Sequence, residues 1–469
     1  MVTRAERAPS ETPSPERGVP RKSLHTVDAV ALIVGTVVGA MIFRVPSLVA
    51  GALPSEGAFL FVWLAGGIAS FVGALCYAEL ATAFPSAGGD YHFLRRAFGP
   101  RLSFLYAWAR VTVIQAGSIA LLAYVLGDYI AEILGQQGHM SSAAWAAISI
   151  AAVTILNLTG VRQGLWVQRL LSLAKVLGLT AIVVAGALWT GGAPQPEPAA
   201  PGGAGLGLAM VMVLLTYGGW NEAAYVSAEL PNVRRSMVPA LFWGIGTITV
   251  LYLLTNIAYL RVLGLGGVAA SDAVAVDLAR AVGGDAAAIA LGVVVALCVL
   301  GALSATIFTG ARTCYAIGVD HPRLSRLGEW RTEGDTPTAG FVLQAALALG
   351  LVGLGVLARE GVQAMIDYTA PVFWLFFLLV GVSVMVLRRR EPSAERPFRV
   401  PLYPIVPLAF CLLCGYMLWS SISYAVGQVR IGDPVGAVPV VAGLLVMAAG
   451  VPLARGASRT GAAQAAASE

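Results

Sequence analysis

Apolar runs long enough to cross a bilayer recur along almost the whole of this chain, and they leave few folds open to it. A membrane-crossing helix needs about 20 consecutive, mostly apolar residues. Twelve such windows fall near 27–53, 59–84, 103–133, 142–160, 166–189, 206–228, 237–262, 286–318, 338–358, 362–387, 403–426 and 435–454. Charged residues fill only 12% of the 469 positions and 58% are hydrophobic, too little charge to coat a water-soluble domain of this size. The expected fold class is an all-α polytopic membrane protein.

A formal net charge of +5 can point to nucleic acid, but the basic residues sit in short loops between windows. There they report topology, and no nucleic-acid partner is expected. With a cytoplasmic N-terminus, 22 of the 30 Lys and Arg fall in inside loops and tails, among them Arg388, Arg389 and Arg390. Arg261, Arg280, Arg359 and Arg430 fall outside. That asymmetry puts both termini in the cytoplasm, and the plasma (inner) membrane is the expected location. Residues 1–26, rich in Pro, Ser, Thr, Arg and Glu, read as a disordered cytoplasmic tail without a signal peptide. Residues 455–469 read as a second cytoplasmic tail. The CxxC of Cys411 and Cys414 lies in an apolar window and reads as small apolar packing. Four histidines show no metal-ligand spacing, so neither metal nor cofactor is expected.

Two windows are interrupted by glycine. The first contains Gly35-Thr36-Val37-Val38-Gly39-Ala40-Met41-Ile42-Phe43, the sixth Thr216-Tyr217-Gly218-Gly219-Trp220-Asn221-Glu222. Unwound backbone at membrane depth is tolerated only where it lines a cavity or binds something, and breaks at matching places in two halves point to a transporter's binding site. The alternative is that these glycines merely let helices pack closely. Breaks in windows one and six imply two five-helix repeats, 27–189 and 206–387, inverted in the membrane, with two added helices over 403–454. A broken helix offers both poles that a zwitterion needs. Free N–H groups of Ala40, Met41 and Ile42, beside Gly39, would take a carboxylate. Free carbonyls of Thr36, Val37, Leu215, Thr216 and Gly218 would take an ammonium.

Three stretches carry a family resemblance. Val38 to Phe43 resembles the GSGIF-type motif of the amino acid–polyamine–organocation superfamily. Tyr77-Ala78-Glu79-Leu80 through Gly88-Gly89-Asp90-Tyr91, then Arg95-Arg96-Ala97-Phe98-Gly99, is close to its second-to-third-span motif. Tyr217 to Asn221 and Ser227-Ala228-Glu229-Leu230-Pro231 resemble the sixth span of the L-type amino acid transporter branch. The resemblance implies a LeuT-type fold of twelve transmembrane helices, with a 5+5 inverted repeat. It also implies an amino acid as substrate and alternating access as mechanism. Asn221 falls where the family ties a residue to substrate or proton response. The family's aromatic gate falls at Leu215, so gating passes to Tyr217, Phe373 or Trp374; the alternative for Phe373 and Trp374 is lipid contact or core packing. Met41 stands where the family usually has Gly, which favours small neutral substrates or, at worst, damages transport.

Lys175 lies inside the fifth window, where a lysine costs about 2.5–3.5 kcal/mol to insert. In sodium-independent members a lysine at the matching position replaces the second sodium ion. Lys175 would then touch the first helix near Gly35 to Val38 and make transport sodium-independent, by exchange or proton coupling. The alternative is a lysine reaching back towards Arg169 and the cytoplasm. Glu222 is an intramembrane acid beside the sixth-window break, a candidate for binding a proton or a cation, the alternative being that it caps exposed backbone there.

A polyamine or cationic amino acid carrier would need a carboxylate facing the pocket, and only Glu222 qualifies. A channel lacks filter-like repeats, and an enzyme lacks a nucleophile–base pair or metal motif. Some L-type members carry a heavy subunit on a cysteine between the third and fourth spans. Residues 134–141 contain none, so no disulfide-linked heavy subunit is expected.

Overall fold

The computed structural model describes residues 34, 37–86, 88–136, 138–159, 165–191, 205–222, 233–320, 322–329, 337–358 and 360–454. Thr36, Gly35, Glu229, both tails and most of the 190–205 loop lie outside them. The described residues form helices: a 3-10 turn Ala40–Phe43, α1 Val45–Ala52, α2 Glu56–Ala83, α3 Gly89–Phe98, α4 Pro100–Ala109, a π turn Arg110–Gln115, α5 Ala116–Ile133 and α6 His139–Leu158. These are followed by α7 Leu165–Leu188, α8 Gly205–Thr216, a 3-10 turn Trp220–Glu222, α9 Val233–Ala270 and α10 Val274–Asp320. After a 3-10 segment Pro322–Gly328 come α11 Thr338–Ala358, α12 Gly361–Arg390, α13 Ile405–Arg430 and α14 Pro434–Ala448.

Nine helices among the described residues are long and apolar enough to cross a membrane, and each matches one of the twelve windows. Two of the other windows are cut short by the breaks, leaving α1 and α8, and the third is represented by the apolar stretch Leu173–Leu188 of α7. Large apolar side chains such as Leu412, Leu188 and Trp419 stand outward, as a lipid-facing belt requires.

Local signals in the chain set the helix ends. Ser55 caps α2 by accepting from the Ala58 N–H at 3.2 Å, with Glu56 in the first turn. Three arginines close the last turn of α12, where the helix dipole favours cations. The windows ending at 262 and starting at 286 stop beside Gly264 (φ +70°) and Gly284 (φ +72°). There α9 and α10 turn sharply, in a backbone region that glycine enters without strain.

The bundle is tied by helices distant in sequence. α9 packs on α2, α1 and α7; α10 packs on α5, α7 and α11; α12 packs on α13, α14 and α5. Close approach demands glycine at Gly443, where a Cβ would come within 2.2 Å of the Tyr368 carbonyl oxygen.

Candidate functional site

The first break is visible as extended backbone at Gly39 (φ −107°, ψ −170°), between Val38, whose N–H donates to the Val34 carbonyl, and the 3-10 turn Ala40–Phe43. Ala40 and Ile42 are buried and Met41 is half-buried. The second break begins after Thr216. Gly219 takes φ +110°, and its N–H donates to the Asn221 Oδ1 at 3.3 Å, so the Asn221 side chain caps the unwound turn.

One side chain joins the two breaks. The Tyr252 hydroxyl, projecting from α9, donates to the Val37 carbonyl at 2.9 Å and lies 3.4 Å from the Thr216 carbonyl. Tyr252 is fully buried, its ring edge-on to Trp63 and Tyr217 at centroid distances of 5.9 and 5.2 Å. The expectation of free carbonyls is therefore corrected at three positions: Val37 and Thr216 meet Tyr252, and Leu215 accepts from the Gly218 N–H at 3.0 Å. Each carbonyl keeps a second lone pair for a ligand.

The gate candidates fall in two places. Tyr217 is buried and its hydroxyl donates to the Trp63 carbonyl at 3.0 Å, so it is tethered to α2. Phe373 and Trp374 belong to an aromatic cluster on α12. Phe373 stacks on Phe377 at 4.2 Å, and Phe377 meets Trp220, in the second break, at 5.9 Å. Trp374 is buried against both phenylalanines. Lys175 is half-buried on α7 and lies beside Cys298 of α10. Its expected neighbours Gly35 and Thr36, and the Glu222 side chain, lie outside the described residues.

At the end of the bundle where α1 and α5 finish and α8 and α12 begin, a cavity of about 930 Å³ opens. Its wall includes Asp128, Glu132, Asp272, Asp277, Glu360 and Gln363. Arg44 also lines it, held by Asp128 (3.2 Å), Asp272 (2.8 Å), the Ser47 hydroxyl (2.9 Å) and the Ser271 carbonyl (3.1 Å). Next to it the Tyr129 hydroxyl donates to the Phe43 carbonyl at 2.9 Å. None of Val37, Gly39, Ala40, Met41 or Ile42 lines the cavity.

The opposite end is closed by charge. Glu79 on α2 is buried, and its carboxylate accepts from Arg388 Nε (2.7 Å), a second Arg388 nitrogen and the Val400 N–H (2.7 Å), with Arg396 at 3.5 Å. Nearby, Arg96 on α3 grips Glu391 through two nitrogens at 2.7 and 2.6 Å. The hydrogen bond to Arg96 holds the Glu391 carboxyl below its ordinary value. His92 is also lowered, but by burial first and then by repulsion from Arg96 and Arg95, which disfavour its charged form.

Two features lie outside what the sequence pattern foretells. The third span contains the π turn Arg110–Gln115, and two of its carbonyls accept from side chains of other helices. Thr112 accepts from the Tyr368 hydroxyl at 3.0 Å and Val111 from Gln344 Nε2 at 3.1 Å. Apolar periodicity does not register a π turn. The second is Asp367, a buried acid inside the tenth window, whose one signal in the sequence is a charge within a span. Besides the candidate Glu222, whose side chain lies outside the described residues, Asp128 in the cavity wall and Asp367 on α12 are further acids within crossing helices.

Crossing helices broken at mid-span, with the two breaks fastened by one hydroxyl, define a membrane carrier of the broken-helix class. The chain belongs to the amino acid permease family, whose model matches residues 24–447, and it transports amino acids. That family consists of transporters rather than enzymes. The L-type resemblance extends to curated relatives. The chain is 29% identical to the mouse b(0,+)-type amino acid transporter 1 over 412 residues, covering 86% of this chain and 83% of that protein. It is 30% identical to the human large neutral amino acids transporter small subunit 2 over 417 residues, covering 86% and 76%.

Proposed function

We propose that the chain carries small neutral amino acids by sodium-independent alternating access, binding the zwitterion between the two breaks. The observation that carries this reading is the Tyr252 hydroxyl held between the Val37 and Thr216 carbonyls. A substrate ammonium has the same partners to satisfy: Val37, Leu215, Thr216 and Gly218 on this side, with Thr36 completing the set. The N–H groups of Ala40, Met41 and Ile42, at the start of a 3-10 turn, suit the carboxylate. Met41 limits the room beside them. Asn221 shapes the second break, and Phe373 and Trp374 shield the pocket through Phe377 and Trp220. Lys175 takes the place of a sodium ion behind the first break; Glu222 serves the second as an ion-coupling group.

Both termini face the cytoplasm of a cell expected to hold the protein in its plasma membrane, and the 930 Å³ cavity faces outward. The small-subunit relatives are named for assembly with another chain. In this chain residues 134–141 hold no cysteine, so any partner is held without a disulfide at that loop.

A second reading, a carrier of cationic amino acids or polyamines, is favoured by the acids lining the cavity, among them Asp128, Asp272 and Glu360. Radiolabelled uptake into proteoliposomes separates the two. Alanine uptake that needs internal amino acid but no sodium, and resists excess lysine and putrescine, supports the first reading. Lysine or putrescine uptake exceeding that of alanine overturns it in favour of the second.

A further inference from the structure

Among the buried acids, Asp367 is the one beside the cavity, and the substrate site gives it no task. Asp367 stands on α12 one turn beyond Gln363, so the two side chains share a helix face. Gln363 is in the wall of the cavity, and its Nε2 donates to Asp367 Oδ1 at 2.8 Å. Asp367 itself is 5% exposed, inside a helix that crosses the membrane. The carboxyl is thus one hydrogen bond behind the cavity surface.

The surrounding groups are neutral, acidic or already engaged. From α13 comes Tyr424, whose hydroxyl accepts from Gln428 at 3.1 Å. Asp433 caps α14, which carries no ionisable side chain along Pro434–Ala448. On α5 are Tyr124, donating to the Val352 carbonyl, and Asp128, bound to Arg44. The π turn reached by Tyr368 brings Arg110, which donates to the Tyr106 hydroxyl. Residues 205–216 of α8 and 338–358 of α11 contain no ionisable side chain, and Glu360 caps α12 itself. α2 and α3 meet α12 further along, around Phe377 and Arg388 to Arg390.

An intramembrane acid is tolerated where it pairs with positive charge, and such acids mark ion and proton pathways. Among the described residues no group of three or more His, Cys, Asp or Glu could hold a metal ion there. We propose that Asp367 is a proton-binding site of the transport cycle. A proton arriving through the cavity adds to one carboxylate oxygen and leaves towards the other compartment when the bundle reorients. No other bond is made or broken.

This rests on the transport reading, and the experiment keeps the two apart. The purified full chain is reconstituted into vesicles containing a pH-sensitive dye, and alanine uptake is followed with and without an inward proton gradient. The proposal expects alanine to drive acidification of the lumen and the gradient to speed uptake several-fold. In Asp367→Asn both effects should vanish relative to that variant's own exchange rate. Asp367→Glu should keep both, and it decides the matter if the asparagine variant does not fold. Wild-type exchange without proton movement overturns the proposal while leaving the transport reading intact. So does proton movement that survives in Asp367→Asn, or a Glu variant that transports without it. No exchange of any amino acid removes the transport reading instead.

Discussion

The two ends of this bundle are built on opposite principles. One end is a cavity of about 930 Å³ whose acids are ranged around its wall, Asp128 and Asp272 gathered by Arg44 and Glu132 and Asp277 by Arg280. At the other end a single buried carboxylate, Glu79, collects two arginines and a backbone N–H from the stretch that follows α12. Charge is spread where the bundle is open and concentrated where it is shut. A carrier that alternates must be able to reverse this contrast, so the closed end has to be strong enough to seal and weak enough to release.

The largest effect is expected at the seal. Glu79→Ala strands Arg388 and the Val400 N–H, while Arg396 keeps its carbonyl acceptors at Leu387, Glu391 and Ala394, and breaking a buried pair this way costs about 3–5 kcal/mol. The variant should melt many degrees lower in detergent or open permanently at that end, read by labelling of a cysteine placed at Ala97. Unchanged melting and labelling would remove the contrast between the ends. Next comes the point between them. Tyr252→Phe deletes the hydroxyl that joins the breaks, a loss of about 1 kcal/mol per hydrogen bond, so exchange should fall on the order of tenfold while the melting point moves little. Lys175→Ala should abolish transport while expression survives, and wild-type uptake there would withdraw its assigned role. A milder change is Met41→Gly, which should widen selectivity towards bulkier side chains in a competition assay without lowering alanine exchange; an unaltered substrate profile would show that Met41 does not border the pocket.

How far the chain announces this can be judged from particular residues. Nine spans are legible because lipid imposes about 20 apolar residues on each crossing, and Gly264 and Gly284 mark where two of them stop. Both breaks are legible through Gly39 and the pair Gly218-Gly219, since backbone conformation there depends on local sequence. Their joining is not, because Tyr252 reaches Val37 across 215 positions of chain and only tertiary packing brings them together. For Glu79 a charge at a span end announces an ion pair, but its partner Arg388, 309 positions further along, is chosen by packing alone. The cavity acids come from four different helices or turns, and Asp367 is hidden because one charge hardly lowers the hydropathy of so apolar a window.

The smallest effect belongs to the outer tie of the sealed end, Arg96 with Glu391. Arg96 holds the Glu391 carboxyl below its ordinary value, so the pair adds stability above the unfolded value of a glutamate. That contribution is lost as the pH falls through the lower value of the folded state. With the Arg96 side chain 41% exposed, solvent screens the pair, and its worth is under about 1 kcal/mol. Arg96→Ala should therefore lower the melting point slightly at neutral pH, and flatten the acid side of the melting curve against pH. The difference between variant and wild type should start to shrink as the pH falls below the ordinary glutamate value of about 4.3 and vanish only once the wild-type carboxyl is protonated too. If the two curves run parallel through the acid range, the tie is ornamental and Glu79 alone holds the end shut.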